Sequence, residues 1–493
     1  MPEVELKFEL PVDAHAAFRR LAPIARGKPV NARLHALYFD TPDFELRRRE
    51  MALRLRRSGR RWVQTLKAGH SGAGGLHARE EWEFERPQPS LDLALFAGTP
   101  LDARDAGPHL AEIFQVNVRR TTWELEVSPG NRVEVALDRG EVTRLGERDA
   151  VSEVEIESLE GDPLAVFDLA EQLLQHAPLR PSAVTKAQRG YRLARGEEAG
   201  PAKARPSELD ANGTPASALR VLVAASLEQV QANEAGVLGG SDPEYLHQFR
   251  VGLRRLRSAL RVFRTELHPD FAERMREELR WIARATSSAR DWDVLCAATL
   301  PAILQAFGEA RATRSVKARV TARRKAASKK LHAALRSPRY ARLLLQLARW
   351  LASSAVEAPE GGGRVGEFAV EIVKRRHKRL VARASRLSAL TPVQRHELRL
   401  EAKRLRYALE GFETLLGGKR YQAYRELLAE IQDDLGRAND AAVAARLLPE
   451  LDLPTRFAHF ARGWLAAETH SSVAALARHG DLLATARMPR ERN

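Results

Sequence analysis

Glu3-Val4-Glu5-Leu6-Lys7-Phe8-Glu9-Leu10 lies near the start of the 493-residue chain. It sets four charged side chains at odd positions against four apolar ones at even positions. Alternate residues of an extended strand point to opposite faces, so this segment reads as a β-strand with one ionic and one apolar face. The pattern recurs along the first 160 residues. Arg54 and Arg56 alternate with Leu53 and Leu55, and Arg79, Glu81, Glu83 and Glu85 with Trp82 and Phe84. Glu124 and Glu126 oppose Trp123, Leu125 and Val127; Arg132, Glu134 and Asp138 oppose Val133, Val135 and Leu137. Glu153, Glu155 and Glu157 oppose Val154 and Ile156. Two architectures satisfy this pattern. One is an antiparallel sheet with a solvated face. The other is a closed barrel with its polar faces around a lumen and its apolar faces under outer helices.

Charge divides the chain. Residues 1–200 hold 29 Lys and Arg against 32 Asp and Glu, a net of −3, whereas residues 201–493 hold 51 against 32, a net of +19, so the surplus lies in the second part. A surplus of that size points to a polyanion partner. The length suggests two to four domains, and 44% apolar residues exclude a disordered polycation. No apolar run approaches the roughly 18 residues of a membrane span. The acidic start lacks the basic, then greasy, pattern of a secretory signal. Cys296 is the single cysteine, which excludes a disulfide framework and a thiolate metal cluster. The expectation is a cytoplasmic protein.

In a lumen, carboxylates at i and i+2 are hard oxygen ligands suited to Mg²⁺ or Mn²⁺. Lys and Arg among them can grip phosphate oxygens. Metal plus cations on an oligophosphate is what phosphoryl transfer requires.

The strand motifs also resemble a known family. Glu3-Val4-Glu5-Leu6-Lys7 is similar to the ExExK signature of the CYTH domain, the triphosphate tunnel metalloenzymes. In the family's order follow Tyr38-Phe39-Asp40-Thr41-Pro42, Leu53-Arg54-Leu55-Arg56 and Gln64-Thr65-Leu66-Lys67. Then come the Arg79/Glu81 strand, Arg120-Thr121-Thr122-Trp123, Glu134 to Asp138, Glu153 to Glu157 and Thr185 to Tyr191. The resemblance covers residues 1–195 and implies an eight-stranded antiparallel β-barrel tunnel with outer helices. It implies that Glu3, Glu5, Glu153 and Glu155 hold Mg²⁺ or Mn²⁺. Lys7, Arg54, Arg56, Lys67, Arg79, Arg120, Lys186 and Arg189 would bind the phosphates. Glu81, Asp138 and Lys7 are the catalytic candidates, and Glu157 shares the face of Glu153 and Glu155.

Arg195 to Ser217 carries three prolines and three glycines without apolar periodicity and reads as a linker, with boundaries at 196–213. Beyond it, apolar residues recur at helical spacing. His247-Gln248-Phe249-Arg250-Val251-Gly252-Leu253-Arg254-Arg255-Leu256-Arg257 matches His396-Glu397-Leu398-Arg399-Leu400-Glu401-Ala402-Lys403-Arg404-Leu405-Arg406 at an offset of 149 residues. The same offset lays Phe263 on Phe412 and Asp291 on Asp440, which marks a duplicated unit. At about 100° per residue, Arg250, Arg254, Arg257 and Arg261 share one stripe about 80° wide. Leu253, Leu256, Leu260 and Phe263 take the opposite face. The second copy repeats this with His396, Arg399, Lys403 and Arg406, and its stripe ends early because Glu410 stands where the first copy has Arg261. Further stripes occur at Arg319, Arg323 and Lys330, and at Arg376, Arg379, Arg383 and Arg386. Such rows repel themselves unless an anion bridges them.

This part resembles the CHAD domain over residues 214–485, with its halves split near 357–366 and a tail at 486–493. The resemblance implies an all-α domain of two four-helix bundles that binds inorganic polyphosphate. His247, Arg250, Arg254, Arg257, Arg261, His396, Arg399, Lys403 and Arg406 would carry that binding. The whole chain is then an α+β multidomain protein. Its expected activity is metal-dependent hydrolysis of inorganic triphosphate, joined to polyphosphate binding. Polyphosphate granules are the cytoplasmic structure with which such a module could associate. A binding protein for polyphosphate or nucleic acid, or an enzyme for thiamine triphosphate or a nucleotide, are the alternatives. Aromatics at 6% offer few stacking platforms for nucleic acid, and no Walker A or Rossmann fingerprint is present.

Overall fold

The computed structural model describes residues 4–59, 61–69, 75–77, 80–101, 109–196, 200–240, 242–353, 363–384, 391–477, 482–483, 485–486 and 488–491. Glu3 and Arg79, both expected in the site, lie outside the described residues, as does the side chain of His396. Two compact units emerge. The first comprises Met1–Pro201 with Leu335–Glu357, and the second Ala202–Ala334 with Ala358–Asn493.

In the first unit the alternating segments form β1 (Glu5–Glu9), β2 (Val30–Asp40), β3 (Met51–Ser58), β4 (Arg61–Ala68), β5 (Leu76–His77) and β6 (Glu80–Arg86). They continue as β7 (Ala111–Ser128), β8 (Asn131–Arg144), β9 (Glu147–Glu160) and β10 (Arg180–Pro181). Nine pair antiparallel in the order β10-β1-β9-β8-β7-β2-β3-β4-β6, and β5 pairs with β1. Tight turns connect the long central strands. Leu145 and Gly146 between β8 and β9 both take positive φ, as a two-residue hairpin with the sheet's twist requires.

The apolar alternates of four strands build one core. Leu6 and Phe8, Trp123 and Leu125, Val133 to Leu137, and Val154 and Ile156 pack under the helix Ala165–Leu173. Ala341, Leu345 and Ala348 complete this core from the helix Pro338–Ser353, about 150 residues later in sequence. Arg349 of that helix pairs with Asp168 at 2.5 Å. A second core lies at one side of β2 and β7, where Ala36, Tyr38, Phe114, Val116 and Val118 meet Ala187 and Tyr191 of the helix Lys186–Arg195. Thr185 and Gln188 form the capping box that starts this helix. Gly190 admits close contact: a Cβ there would stand 2.1 Å from the Phe114 ring. A closed barrel would set the apolar faces outward; in β2 and β7 Ala36, Val116 and Val118 line the cavity instead, where this helix covers them.

The second unit is helical, apart from the short pair Leu416–Gly417 and Arg490–Glu491. Its helices are Pro215–Gly239, Pro243–Val262, Pro269–Val294 (continuing to Phe307 through a π-turn), Ala310–Leu335, Val365–Ala384, Pro392–Gly411, Lys419–Leu447 and Thr455–Ala477. The duplicated segments begin alike. Asp242 caps Pro243–Val262 and Thr391 caps Pro392–Gly411, each with proline in the first turn. These two helices pack against each other. Phe263, just past one, meets Phe412, just past the other, at 5.9 Å between ring centroids.

Candidate functional site: an ionic cavity and a cationic ridge

The register of the sheet stacks the charged alternates in rows. Glu5 stands opposite Glu157, which faces Glu134, which in turn faces Glu124. One step along, Lys7 faces Glu155; a further step joins Glu9, Glu153, Asp138 and Arg120. Members of these rows border a cavity of about 530 Å³, from whose lining Glu9, Glu124 and Glu153 are absent. Glu5, Lys7, Arg54, Arg56, Lys67, Glu81, Arg120, Asp138, Glu155, Glu157 and Lys186 all line it.

On one wall, three carboxylates and three cations interlock. Lys186 Nζ contacts Asp138 Oδ2 at 2.7 Å and Glu155 Oε1 at 2.8 Å, and also meets Glu153. Lys7 Nζ lies 3.0 Å from Glu153 and 3.5 Å from Glu155. Arg120 clasps Asp138 through Nε and Nη2 at 2.8 and 2.6 Å and reaches Glu155 as well. Burial works to raise the pKa of Glu155, but Lys186, Arg120 and Lys7 outweigh it and hold the carboxyl well below its usual range. Asp138 is lowered in the same way, burial being overcome by Lys186 and Arg120. Glu5 behaves differently. Burial, with Glu155 adding, pushes its pKa up to about 7 against Lys7, Lys67 and Lys186.

The facing wall comes from β3, β4 and β6. Lys67 pairs with Glu81 at 2.5 Å, and Arg54 Nη2 lies 3.3 Å from Glu81 and 3.4 Å from Glu83. Arg56 reaches Glu83 at 3.6 Å, and Thr65 donates to the same carboxylate at 2.8 Å. Burial raises the pKa of Glu81 despite Lys67 and Arg54.

Asp138, Glu153 and Glu155 each offer an oxygen within 4.8 Å of the others. Glu153 is fully buried, and neither of its oxygens makes a hydrogen bond; its ammonium contacts are ion pairs alone. A buried cluster of three hard carboxylate donors of this kind fits Mg²⁺ or Mn²⁺. Asp138, expected among the catalytic residues, thus belongs to the carboxylate group, and Glu5 stands beside it. Arg189 is placed elsewhere: it pairs with Glu9 at 3.3 Å and Asp149 at 3.2 Å, outside the cavity lining. Glu83, Glu134, Tyr38 and Thr185 also line the cavity, beyond the residues expected to bind or react. The alternation of charge in β6 and β8 carried the signal for the two glutamates.

In the second unit, the two stripes meet. Arg250 and Arg254 come into electrostatic reach of Arg399 and Lys403, with Arg406 beside them. Arg254 and Arg406 both lie over the Tyr407 ring, at 5.6 and 5.3 Å. Arg250 donates to Thr286 and Ser287 at 2.8 and 3.0 Å. Asp291 and Asp440 face Arg399 together, and Arg446 pairs with Asp291 at 3.1 Å. His247 is half-buried, and burial followed by Arg290 lowers its pKa. Burial first, then Arg399, Arg254, Arg406 and Arg250, push Lys403 down to about 7.

An anion held against Lys403 must therefore bring a proton with it above neutrality. Affinity for an anion at this patch is expected to fall as pH rises from 7 to 9, by up to about tenfold per pH unit for one proton. Binding titrations across that range check this, and Lys403→Arg should flatten the dependence.

The first unit thus opposes carboxylates and cations across a cavity, and the second lines up cations on packed helices, groups suited to hard cations and to anions. Residues 1–191 match the CYTH domain and residues 221–449 match the CHAD domain. The chain carries an N-terminal CYTH domain and a C-terminal CHAD domain. An inorganic triphosphatase of Haemophilus influenzae is 31% identical over 161 residues, which are 32% of this chain and 44% of that protein. The chain therefore spans less than half the length of that relative. The crystal structure of the CHAD domain from Ricinus communis is 37% identical, with a TM-score of 0.54, over 59% of this chain and 99% of the other. Among the described residues, no helix is long and apolar enough to cross a membrane.

Proposed function

We propose that this protein hydrolyses inorganic triphosphate to diphosphate and phosphate in the cavity of its first unit, and binds polyphosphate on the helices of its second. The observation that carries this reading is the double-walled cavity, with Asp138 and Glu155 of the carboxylate cluster on one side and Arg54, Arg56 and Lys67 on the other. Closure of the sheet into a tunnel is part of this reading, supported by the pairing of β5 with β1 and of β6 with β4. Domain boundaries at 1–195, 196–213 and 214–485, and two four-helix bundles in the last of these, complete the organisation. The place of action is the cytoplasm, at polyphosphate granules.

Asp138, Glu153, Glu155 and Glu5 would hold the divalent cation, with Glu3 as the family motif implies. When bound, Mg²⁺ or Mn²⁺ supplies Lewis-acid polarisation of the phosphoryl oxygens. Arg54, Arg56 and Lys67 hold the anhydride chain from the facing wall, the two arginines in bidentate fashion. Lys7, Arg120 and Lys186 neutralise the charge that develops on the opposite side. Asp138 remains ionised and orients Arg120 and Lys186. Glu81, with its raised pKa, is the better placed of the two acidic candidates to take a proton from water.

A panel of tripolyphosphate, nucleoside triphosphates, thiamine triphosphate and long polyphosphate, with Mg²⁺ and Mn²⁺, tests the substrate. The expected result is preference for tripolyphosphate; preference for a nucleotide or thiamine ester overturns the substrate, and no turnover of any member overturns the enzyme. For the helical unit, labelled polyphosphate is challenged with duplex DNA at physiological salt. Retention of polyphosphate supports the reading, and displacement at equal phosphate concentration contradicts it.

A further inference from the structure

The helix Lys186–Arg195 brings Lys186 to the three carboxylates, yet its ten residues are too few to hold a helix in place without tertiary contacts. Its apolar side is anchored on the sheet, where Ala187 and Tyr191 pack with Tyr38, Phe114 and Val116 of β2 and β7. The side that faces β1 and β9 is fixed by other means. Lys186, Arg189 and Arg192 are spaced by three and so follow one another along that side.

Arg189 bridges two strands. Its Nη2 donates to Glu9 Oε1 of β1 at 3.3 Å, and its Nη1 donates to Asp149 Oδ1 of β9 at 3.2 Å. Each carboxylate turns its second oxygen to a further arginine. Arg180 Nη2 donates to Glu9 Oε2 at 2.9 Å, and Arg192 Nη2 to Asp149 Oδ2 at 2.7 Å. The result is the ionic chain Arg180–Glu9–Arg189–Asp149–Arg192, with Arg189 at its centre and its side chain only 13% exposed. Glu9 stands opposite Glu153 in the register of β1 and β9, and Asp149 lies two alternates before Glu153 on the same face of β9. The chain therefore adjoins the carboxylate cluster while lying outside the cavity lining.

We infer that Arg189 is a positioning residue for the triphosphatase reaction: it locks the helix Lys186–Arg195 to β1 and β9 and so holds the Lys186 ammonium against Asp138, Glu153 and Glu155. A planar fork shared between two carboxylates fixes the rotation of the helix in a way that a point charge does not. Lys186 and Arg189 lie about one turn apart, so any rotation of the helix about its axis moves both. A displacement of about 1 Å at a catalytic group is enough to cost roughly a hundredfold in rate. Arg54, Arg56 and Lys67, which grip the substrate from the facing wall, line the cavity that Arg189 stays out of. Loss of Arg189 is therefore a loss of turnover, with substrate affinity kept. The inference rests on the reading of the cavity as a triphosphatase site.

The test combines steady-state kinetics on tripolyphosphate with amide hydrogen exchange of the full chain. Arg189→Met is expected to lower kcat by about tenfold or more, with KM changed by less than about threefold. Exchange across Lys186–Arg195 should accelerate while the amides of β7 and β8 keep their protection, which shows that the sheet is still folded. Glu9→Gln should lower kcat by itself but add little in the Arg189→Met background, where the bond between them is already gone. A loss carried mainly by KM, fully additive losses in the double variant, or an unchanged kcat overturns the inference. So does a fall in kcat with helix exchange at the wild-type rate. Failure of the underlying reading has a different signature: helix exchange accelerates in Arg189→Met, but the wild type releases no phosphate from tripolyphosphate in Mg²⁺.

Discussion

Lys186→Met is expected to lower tripolyphosphate hydrolysis by about 10²–10³-fold, the usual cost of deleting one preorganised charge donor, and to destabilise the sheet unit by about 3–5 kcal/mol. The ammonium group meets Asp138, Glu153 and Glu155, and the side chains of these four residues are at most 15% exposed. Its removal leaves three buried carboxylates facing Lys7 and Arg120 only. The sign of the pH effect follows. Asp138 and Glu155 have depressed folded-state pKa values, so they contribute stability above the normal carboxylate range and lose it as pH falls through the folded values. Without Lys186 those folded values rise, and acid unfolding should begin at higher pH. Thermal melts between pH 3 and pH 7 read this directly; a variant with the wild-type acid limb would show that Lys186 is not the counter-ion described.

Leu345→Asp should have an effect of similar size from a residue far outside the site. Leu345 is 1% exposed, within the core that also holds Leu6, Phe8, Val154 and Ile156. Those are the apolar alternates of the strands whose other faces present Lys7 and Glu155 to the cavity. A buried, unpaired carboxylate there costs several kcal/mol, and even Leu345→Ala should cost about 2–5 kcal/mol. Differential scanning calorimetry should show an early transition for the sheet unit, with triphosphatase activity lost alongside it. Arg349→Ala serves as the control. Its pair with Asp168 is partly exposed and worth at most about 1 kcal/mol. Wild-type melting and activity in Leu345→Asp would show that Pro338–Ser353 is not part of that core.

The helix Pro338–Ser353 was hidden from the sequence for a definite reason. Its periodicity marks an apolar face but carries no information about which core that face covers, and it lies between two copies of a helical repeat. Strand alternation was more informative. It put Glu5 and Lys7, Arg54 and Arg56, and Glu153 and Glu155 on shared faces, and the register brings those faces to one cavity. The exception is the inward apolar set of Ala36, Val116 and Val118, which only the position of Lys186–Arg195 explains. Arg189 entered through its motif alone; on its helix it points to Glu9 and Asp149, a direction that the motif does not encode. In the helical unit, the stripe of Arg250 to Arg261 was legible as one face of a helix.

The central claim is that clustered carboxylates and cations in this cavity perform metal-dependent cleavage of inorganic triphosphate. The most direct measurement is phosphate release from tripolyphosphate with Mg²⁺ by the full chain and its Glu5→Gln variant. Glu5 borders the carboxylate cluster, and its pKa of about 7 reflects burial and the charge of Glu155. The amide keeps the shape and removes the charge. Turnover is expected in Mg²⁺, none in EDTA, and a loss of about a hundredfold or more in Glu5→Gln. Phosphate release near the wild-type rate in that variant would contradict it.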